Sequence, residues 1–336
     1  MTADHLCKKP RSCVSTSVFA ALLACLSAMP IRADAAEPLR FSALPKDQQV
    51  LLDDVERRTF DFFRDSQNTA NGLVPDGWPQ QAGSDFFSSI ASIGFGLTAY
   101  GIGAERGWMK RSEAAKRTLT ILRFFRDSAQ GESGDVTGAH GFYYHFLDMQ
   151  SGRRFEDVEL SSIDSTMLFY GMLFAQSYYD RNDEDEKEIR RIADELYRRA
   201  DWQWFAPRAP LVSMGWTPKD GFIRDDWHGF TEAAMLYVLA LGSPTHALDP
   251  DGWKQWAETY PHNWEVVQGQ EHLAGGPMFW HQYSQTWIDF RGIQDDYMRK
   301  RGIDYFVNSQ RAALAQRQYA IHNPLRWKDY GATIWG

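Results

Sequence analysis

Residues 185–204 place Ile189, Ile192, Ala193, Leu196, Tyr197 and Ala200 at i, i+3, i+4, i+7 and i+8 spacings, with Glu, Lys and Arg on the other face. That period predicts an amphipathic helix lying on the outside of a core. Ala233 to Leu241 is apolar without a break, which predicts a helix buried on all sides. Residues 161–180 are nearly as apolar, through Met167, Leu168, Phe169, Tyr170, Met172, Leu173 and Phe174. The same reasoning predicts helices near 46–66, 86–102, 110–129, 161–180, 185–204, 230–242, 250–259, 284–299 and 302–320. Strand-like alternation is nearly absent, and Gly, Pro and Asp collect between the helices. No linker, low-complexity tract or repeat divides the chain. Buried and sheathing helices in alternation predict an all-α double ring, an α/α toroid. A plain bundle of long amphipathic helices is the alternative.

The first residues change the picture of where the fold begins. Lys8, Lys9 and Arg11 precede a short apolar run, Val18 to Ala28, and Ala33-Asp34-Ala35 offers a small-residue cleavage site. This pattern reads as a secretory signal peptide over 1–35, leaving one domain over 36–336 in a periplasmic or secreted protein. Leu22-Leu23-Ala24-Cys25 is a weaker match to a lipid-anchoring site at Cys25. Cys7, Cys13 and Cys25 all fall in this segment, so the expected mature chain has neither disulfide nor thiolate chemistry. No other apolar run is long enough to span a bilayer.

Composition narrows the function. A formal net charge of −8 argues against nucleic-acid binding, which needs a basic footprint. The chain carries 13 Trp, 14 Tyr and 21 Phe. Flat, partly polar rings suit the gripping of amphipathic ligands, of which sugars are the commonest.

The carboxylates lie at helix mouths. Asp157-Val158-Glu159-Leu160-Ser161-Ser162-Ile163-Asp164 puts three acids within eight residues before a buried helix. Glycoside hydrolysis needs one carboxyl to protonate the leaving oxygen and one to activate water or attack carbon. The same spacing also fits a capping box, with Ser161 as N-cap and Asp164 three residues on. Trp227-His228-Gly229-Phe230-Thr231-Glu232 opens the most apolar helix. Thr231 fits an N-cap, and Glu232 at a buried mouth fits a carboxyl with a displaced pKa; compensation of the helix dipole explains it equally well. In a toroid both acidic sites would face one cleft.

Phe279-Trp280-His281-Gln282-Tyr283-Ser284-Gln285-Thr286-Trp287-Ile288-Asp289-Phe290-Arg291 interleaves polar and aromatic residues too densely for a core helix. His281, Gln282, Tyr283, Trp287 and Arg291 are therefore candidate substrate contacts on a ligand-facing wall, although Asp289 and Arg291 also read as an ion pair. Trp227, and Tyr144 and His145 from Gly141-Phe142-Tyr143-Tyr144-His145-Phe146, join them. His246 after Gly242-Ser243-Pro244-Thr245 reads as part of a helix stop. No HExxH, CxxC or calcium loop is present, so no metal is expected. Gly94-x-Gly96 falls short of a dinucleotide fingerprint, no GxSxG elbow occurs, and no cofactor is implied.

Several segments together resemble the bacterial glycoamylase-like family, which includes endo-β-1,2-glucanases and a domain of cyclic β-1,2-glucan synthases. They are Gly94-Phe95-Gly96-Leu97-Thr98-Ala99, Glu105-Arg106-Gly107-Trp108, Phe142 to Asp148, Glu159 to Asp164, Leu239 to His246, and His281 to Arg291. The resemblance runs from about Val55 to the last residue. It implies an (α/α)6 barrel and cofactor-free hydrolysis of β-linked glucan with inversion, and it is no guide to starch as substrate. Carried over by motif, Glu159, Asp164 and Glu232 fall where the family keeps its acidic cleft residues. Glu232 is the expected proton-transfer group, with the Glu159/Asp164 pair opposite; which carboxyl is acid and which positions water stays open. Family members continue past Tyr330-Gly331-Ala332-Thr333-Ile334-Trp335-Gly336, and nine predicted helices fall short of twelve. The expectation is thus a domain lacking its last helices. A non-catalytic glycan-binding relic and another toroid enzyme, such as a polysaccharide lyase, are the competing functions; the acidic cleft disfavours the lyase.

Overall fold

The computed structural model describes residues 40–78 and 87–335. The proposed leader over 1–35 lies outside these residues, as does the predicted start of the second helix at 86. No described helix is long and apolar enough to cross a membrane.

Three charged helices, α1 (Lys46–Ser66), α3 (Arg111–Asp127) and α5 (Glu184–Arg199), sheathe two apolar ones, α2 (Ile90–Glu105) and α4 (Ser162–Tyr178). A sixth, α6 (Ala234–Gly242), continues the inner series. The alternation matches the double ring expected from the apolar pattern. α5 buries Ile189, Ile192, Ala193, Leu196 and Tyr197 along one face. Asp183 caps its start by accepting the Glu186 N–H, and Arg198 and Arg199 occupy its last turn, where the helix dipole favours cations. The inner helices need close approach. A Cβ on Gly94 of α2 would lie 2.3 Å from the carbonyl oxygen of Met167, and one on Gly171 of α4 would lie 2.3 Å from that of Gly94. Glycine on both sides of the α2–α4 crossing lets backbone rest on backbone.

Seven of the nine predicted helices are present as helices of nine residues or more, the last being α11 (Tyr305–His322). The two others are corrected. The 250–259 segment forms α7 (Gly252–Trp256) and then a 3-10 turn, Ala257–Thr259, followed by α8 (Tyr260–Asn263). The 284–299 segment follows a short α9 (Phe279–Gln282) and is broken into a 3-10 turn at Tyr283–Thr286, an irregular stretch, and α10 (Asp296–Arg301). Gly292 sits at φ 75°, and Asp295 accepts the Met298 N–H at 2.8 Å to start α10 afresh, so one continuous helix cannot form. Thr231 is not an N-cap. α6 begins three residues later, and Thr231 Oγ1 accepts from Ala233 N–H at 3.2 Å in a turn before it.

Short strands also appear. β1 (Phe87–Ser89) pairs with β4 (Phe146–Asp148). Five more, β2 (Gly138–Ala139), β3 (Phe142–Tyr144), β5 (Leu160–Ser161), β6 (Gly215–Thr217) and β7 (Gly221–Phe222), form one antiparallel sheet in the order β2-β3-β5-β6-β7. Two or three residues hold too little alternation to be seen in the sequence. A hairpin, β8 (Trp264–Val267) and β9 (Gln270–Leu273), turns on Gln268 and Gly269, both at positive φ, as a two-residue turn requires.

Candidate active site

The small sheet places the first two site residues. Tyr144 of β3 is in register with Leu160 of β5. The next pairing, His145 N–H to the Glu159 carbonyl at 2.9 Å, sets these two residues side by side. The His145 carbonyl in turn accepts from Ile90 N–H at 3.2 Å, at the start of α2. β5 runs directly into α4, whose first turn carries Asp164. Ser161 is the N-cap, as expected: its Oγ accepts the Asp164 N–H at 3.2 Å. The same hydroxyl donates to Asp164 Oδ2 at 2.6 Å. The capping expectation is met, and the capped residue is the same Asp164 that stands beside His145.

His145 stands between the two acids. Its Nδ1 lies 2.7 Å from Glu159 Oε1, and its Nε2 lies 3.5 Å from Asp164 Oδ1. Burial works against ionisation of Glu159, but the bond and charge of His145 outweigh it and hold that carboxyl below its ordinary pKa. Burial likewise disfavours a charged His145, yet Glu159, Asp164 and Asp76 together raise its pKa. Asp164 goes the other way: burial raises its pKa, helped by the Glu159 charge, and His145 and Ser161 only partly offset this.

Glu232 supplies the third carboxyl. It lies in the turn before α6, 7% exposed, and its Oε2 has no hydrogen-bond partner. Burial, with the Asp164 charge adding to it, pushes its pKa up to about 7. Its main chain is anchored by Ser284 Oγ, which donates to the Glu232 carbonyl at 3.0 Å. That contact draws the 3-10 turn carrying Tyr283 against the site. Tyr283 is 37% exposed and feels the charges of Glu232, Asp164 and Asp76. Its ring lies 6.1 Å from Phe95, which in turn lies 4.8 Å from Trp287. Trp287 stacks at 18° on Tyr170 and donates its indole N–H to Thr98 Oγ1 at 3.0 Å. A carboxyl cluster beside an aromatic shelf is the result.

The structure thus brings together Glu159, Asp164, Glu232, His145, Tyr283 and Trp287. Other expected contacts are corrected. Tyr144 is fully buried, with the Arg154 guanidinium 4.8 Å above its ring. Trp227 is a core residue; its indole N–H donates to Ser162 Oγ at 2.9 Å and its carbonyl accepts from Tyr237 at 2.7 Å. Both rings are held by the fold and offer no face to a ligand. Buried His281 lines a separate cavity of about 230 Å³ with His272 and residues of α11. Burial and His272 push its pKa down to about 3, so it is a neutral imidazole there. Arg291 has its guanidinium engaged twice by Asp289, at 2.7 and 2.6 Å. The ion-pair expectation holds for it. Gln282 is exposed next to Tyr283.

Asp76 was not foreseen. It lies in a turn, Asp76-Gly77-Trp78, with Trp78 largely exposed. A lone Asp-Gly looks like any turn, and only folding brings this one toward His145 and Tyr283.

Comparison with known proteins fits this geometry. Residues 224–336 match the Glycoamylase family model, described as "putative glucoamylase". Over 323 residues the chain is 28% identical to an exo β-1,2-glucooligosaccharide sophorohydrolase (non-reducing end) of Parabacteroides distasonis, covering 87% of this chain and 43% of that protein. The chain therefore spans less than half the length of that curated relative. A solved structure from Bacteroides uniformis with the same glucoamylase description superposes with a TM-score of 0.75 at 28% identity, over 89% of this chain and 71% of that one. A β-1,2-glucanase structure from P. distasonis gives a TM-score of 0.74 at 25% identity, over 87% of this chain and 44% of that one. Over residues 224–336 the chain is therefore similar to the glycoamylase-like family, and the described residues have the (α/α)6 toroid fold of these solved structures.

Proposed function

We propose that this chain is a glycoside hydrolase that cleaves β-linked glucan, with β-1,2-glucan as its substrate. The observation that carries this is Glu232, a buried carboxyl with a free oxygen whose pKa burial raises to about 7, beside the Glu159–His145 pair and Asp164. Two carboxyl environments pushed in opposite directions are what acid–base cleavage of a glycosidic bond requires. The substrate class follows from relatives named for β-1,2-glucan hydrolysis.

In this mechanism protonated Glu232 gives its proton to the glycosidic oxygen as the C1–O bond breaks. A water molecule bonds to C1 from the other face and loses its proton to the Glu159/Asp164 pair. Net inversion at C1 follows, and exchange with solvent moves one proton back to Glu232. The reaction calls on no cofactor. Tyr283 and Trp287 form the shelf against which sugar rings lie, since their faces match the apolar faces of pyranoses. We extend the proposal to export of the protein, on the strength of the leader pattern at Lys8 to Ala35.

The test is incubation of the purified chain with β-1,2-glucan, with laminarin and starch as controls, recording reducing ends and anomeric form. Release of short β-1,2-oligosaccharides is expected, and Glu232→Gln should lower the rate roughly 10²–10⁴-fold. A wild-type chain that releases nothing from any of the three overturns the hydrolase reading. A fully active Glu232→Gln overturns the role of that residue.

A further inference from the structure

We propose that His145 is a positioning residue that ties Glu159 and Asp164 into one water-activating unit. The inference rests on the hydrolase reading above and adds a part that reading does not assign.

The geometry is specific. The two ring nitrogens of His145 face two different carboxylates, at 2.7 Å and 3.5 Å. The shorter contact is a charge-assisted hydrogen bond; the longer is a charge contact beyond hydrogen-bond range. The ring cannot swing away, because it stacks on Phe146 with centroids 4.0 Å apart and planes 19° apart. Its backbone is clamped on both sides, by the Glu159 carbonyl and by Ile90 N–H. Nδ1 is therefore committed to Glu159 by a hydrogen bond, and Nε2 faces Asp164 within ion-pair range.

Charge explains what the bridge is for. Glu159 faces His145 from the strand side, Asp164 from α4 and Asp76 from the loop before β1. Arg154 acts on Glu159, and Glu232 and Tyr283 complete the surroundings of Asp164. With an imidazolium between them, Glu159 and Asp164 carry one net negative charge. Without it, two carboxylates share a partly buried space next to Glu232. One of them is then driven toward its protonated form, as closely spaced acids are, and a protonated carboxyl cannot accept the proton of water. The pair behaves as a coupled set whose titration belongs to the cluster.

The experiment has two arms. In the first, His145→Gln is compared with wild type on β-1,2-glucan across pH. The expected result is a kcat reduced on the order of 10²-fold, the scale for a misplaced reacting group. The acid limb of the profile should move to higher pH, with KM nearly unchanged. A raised KM with an unmoved pH profile would show a sugar contact and overturn the proposal. The second arm needs no turnover. The His145 Cε1–H signal, assigned by its loss in His145→Gln, is titrated by NMR in wild type, Glu159→Gln and Asp164→Asn. Its midpoint should fall in both variants, and an unmoved midpoint in either overturns the bridge. If the midpoints fall but wild type hydrolyses no glucan, the hydrolase reading fails and the bridge stands. If glucan is hydrolysed and the midpoints stay, the bridge alone fails.

Discussion

Glu232 sets a pH signature of its own. Its folded pKa of about 7 lies above the ordinary carboxyl value, with burial the main cause. In the proposed role of acid it would work only when protonated, so the alkaline limb of kcat should fall near pH 7. Linkage gives a second reading. A carboxyl whose pKa is raised on folding contributes most below its unfolded value of about 4.3, and that contribution is lost as pH rises toward the folded value. Glu232→Gln should therefore unfold at a higher temperature than wild type at pH 8 and gain little at pH 4.5. Equal gains at both pH values in thermal melts would show that the effect is not ionisation. Ser161 is the other informative residue. Ser161→Ala removes the N-cap of α4, at about 1 kcal/mol, and strips Asp164 of its 2.6 Å partner. Both a lower melting temperature and a weaker turnover are expected from one methyl-sized change. The sequence showed Glu159, Asp164 and Glu232 as acids at helix mouths. It did not show that His145 stands between two of them, because Glu159 is fourteen residues away along the chain.

At the scale of elements, the apolar pattern was a good guide where helices were long. α1, α2, α3, α4, α5 and α11 fall close to their expected spans. It failed where an element was short. The strands β2, β3, β5, β6 and β7 carry two or three residues each, and β3 and β5 position His145 and Glu159. The 279–291 segment misled in a different way. Its mixed composition suggested a wall on a helix, but Gly292 and the Asp295 cap break that helix. The α2–α4 crossing gives the sharpest test. Gly94→Val would drive a side chain into the Met167 carbonyl, and a backbone atom cannot swing aside as a side chain can. A loss of about 1–3 kcal/mol or more is expected, measured by urea unfolding. Because α4 carries Asp164, turnover should fall with it. A variant with an unchanged midpoint would mean that the two helices are not packed as described.

Across the whole molecule, Arg111 on α3 ties the outer ring together. Its guanidinium holds Glu186 of α5 at 2.7 and 3.0 Å and donates to the Tyr178 carbonyl at the end of α4. The Arg111 bond is the main force lowering the pKa of Glu186, with burial opposing it. A lowered carboxyl pKa contributes stability above its unfolded value, and this is lost as pH falls through the folded one. Arg111→Met should destabilise the protein toward the lower end of about 3–5 kcal/mol at pH 7, since Glu186 keeps the Arg181 N–H at 2.7 Å. The deficit should shrink below pH 4. A deficit equal at pH 7 and pH 3 would point to lost packing instead of the ion pair. A second long tie is the Trp287 indole bond to Thr98, which fastens the aromatic wall to α2 across 189 residues.

By itself the sequence determined the helical class, the alternation of buried and sheathing helices, the acidic helix mouths and the family resemblance. Each of these is written in local order: periodicity, capping spacing, or a contiguous motif. Which residues face one another was decided by the tertiary structure. Tyr144 and Trp227 look like sugar platforms in the sequence and prove to be core, because burial depends on what packs above them. His281 sits in an aromatic motif and turns to a different cavity. Asp76 and His145 reach the site because strand register and helix crossing carry them there. Local pattern reports the energy of a segment against water, whereas an active site is made of contacts between segments, which no single segment encodes.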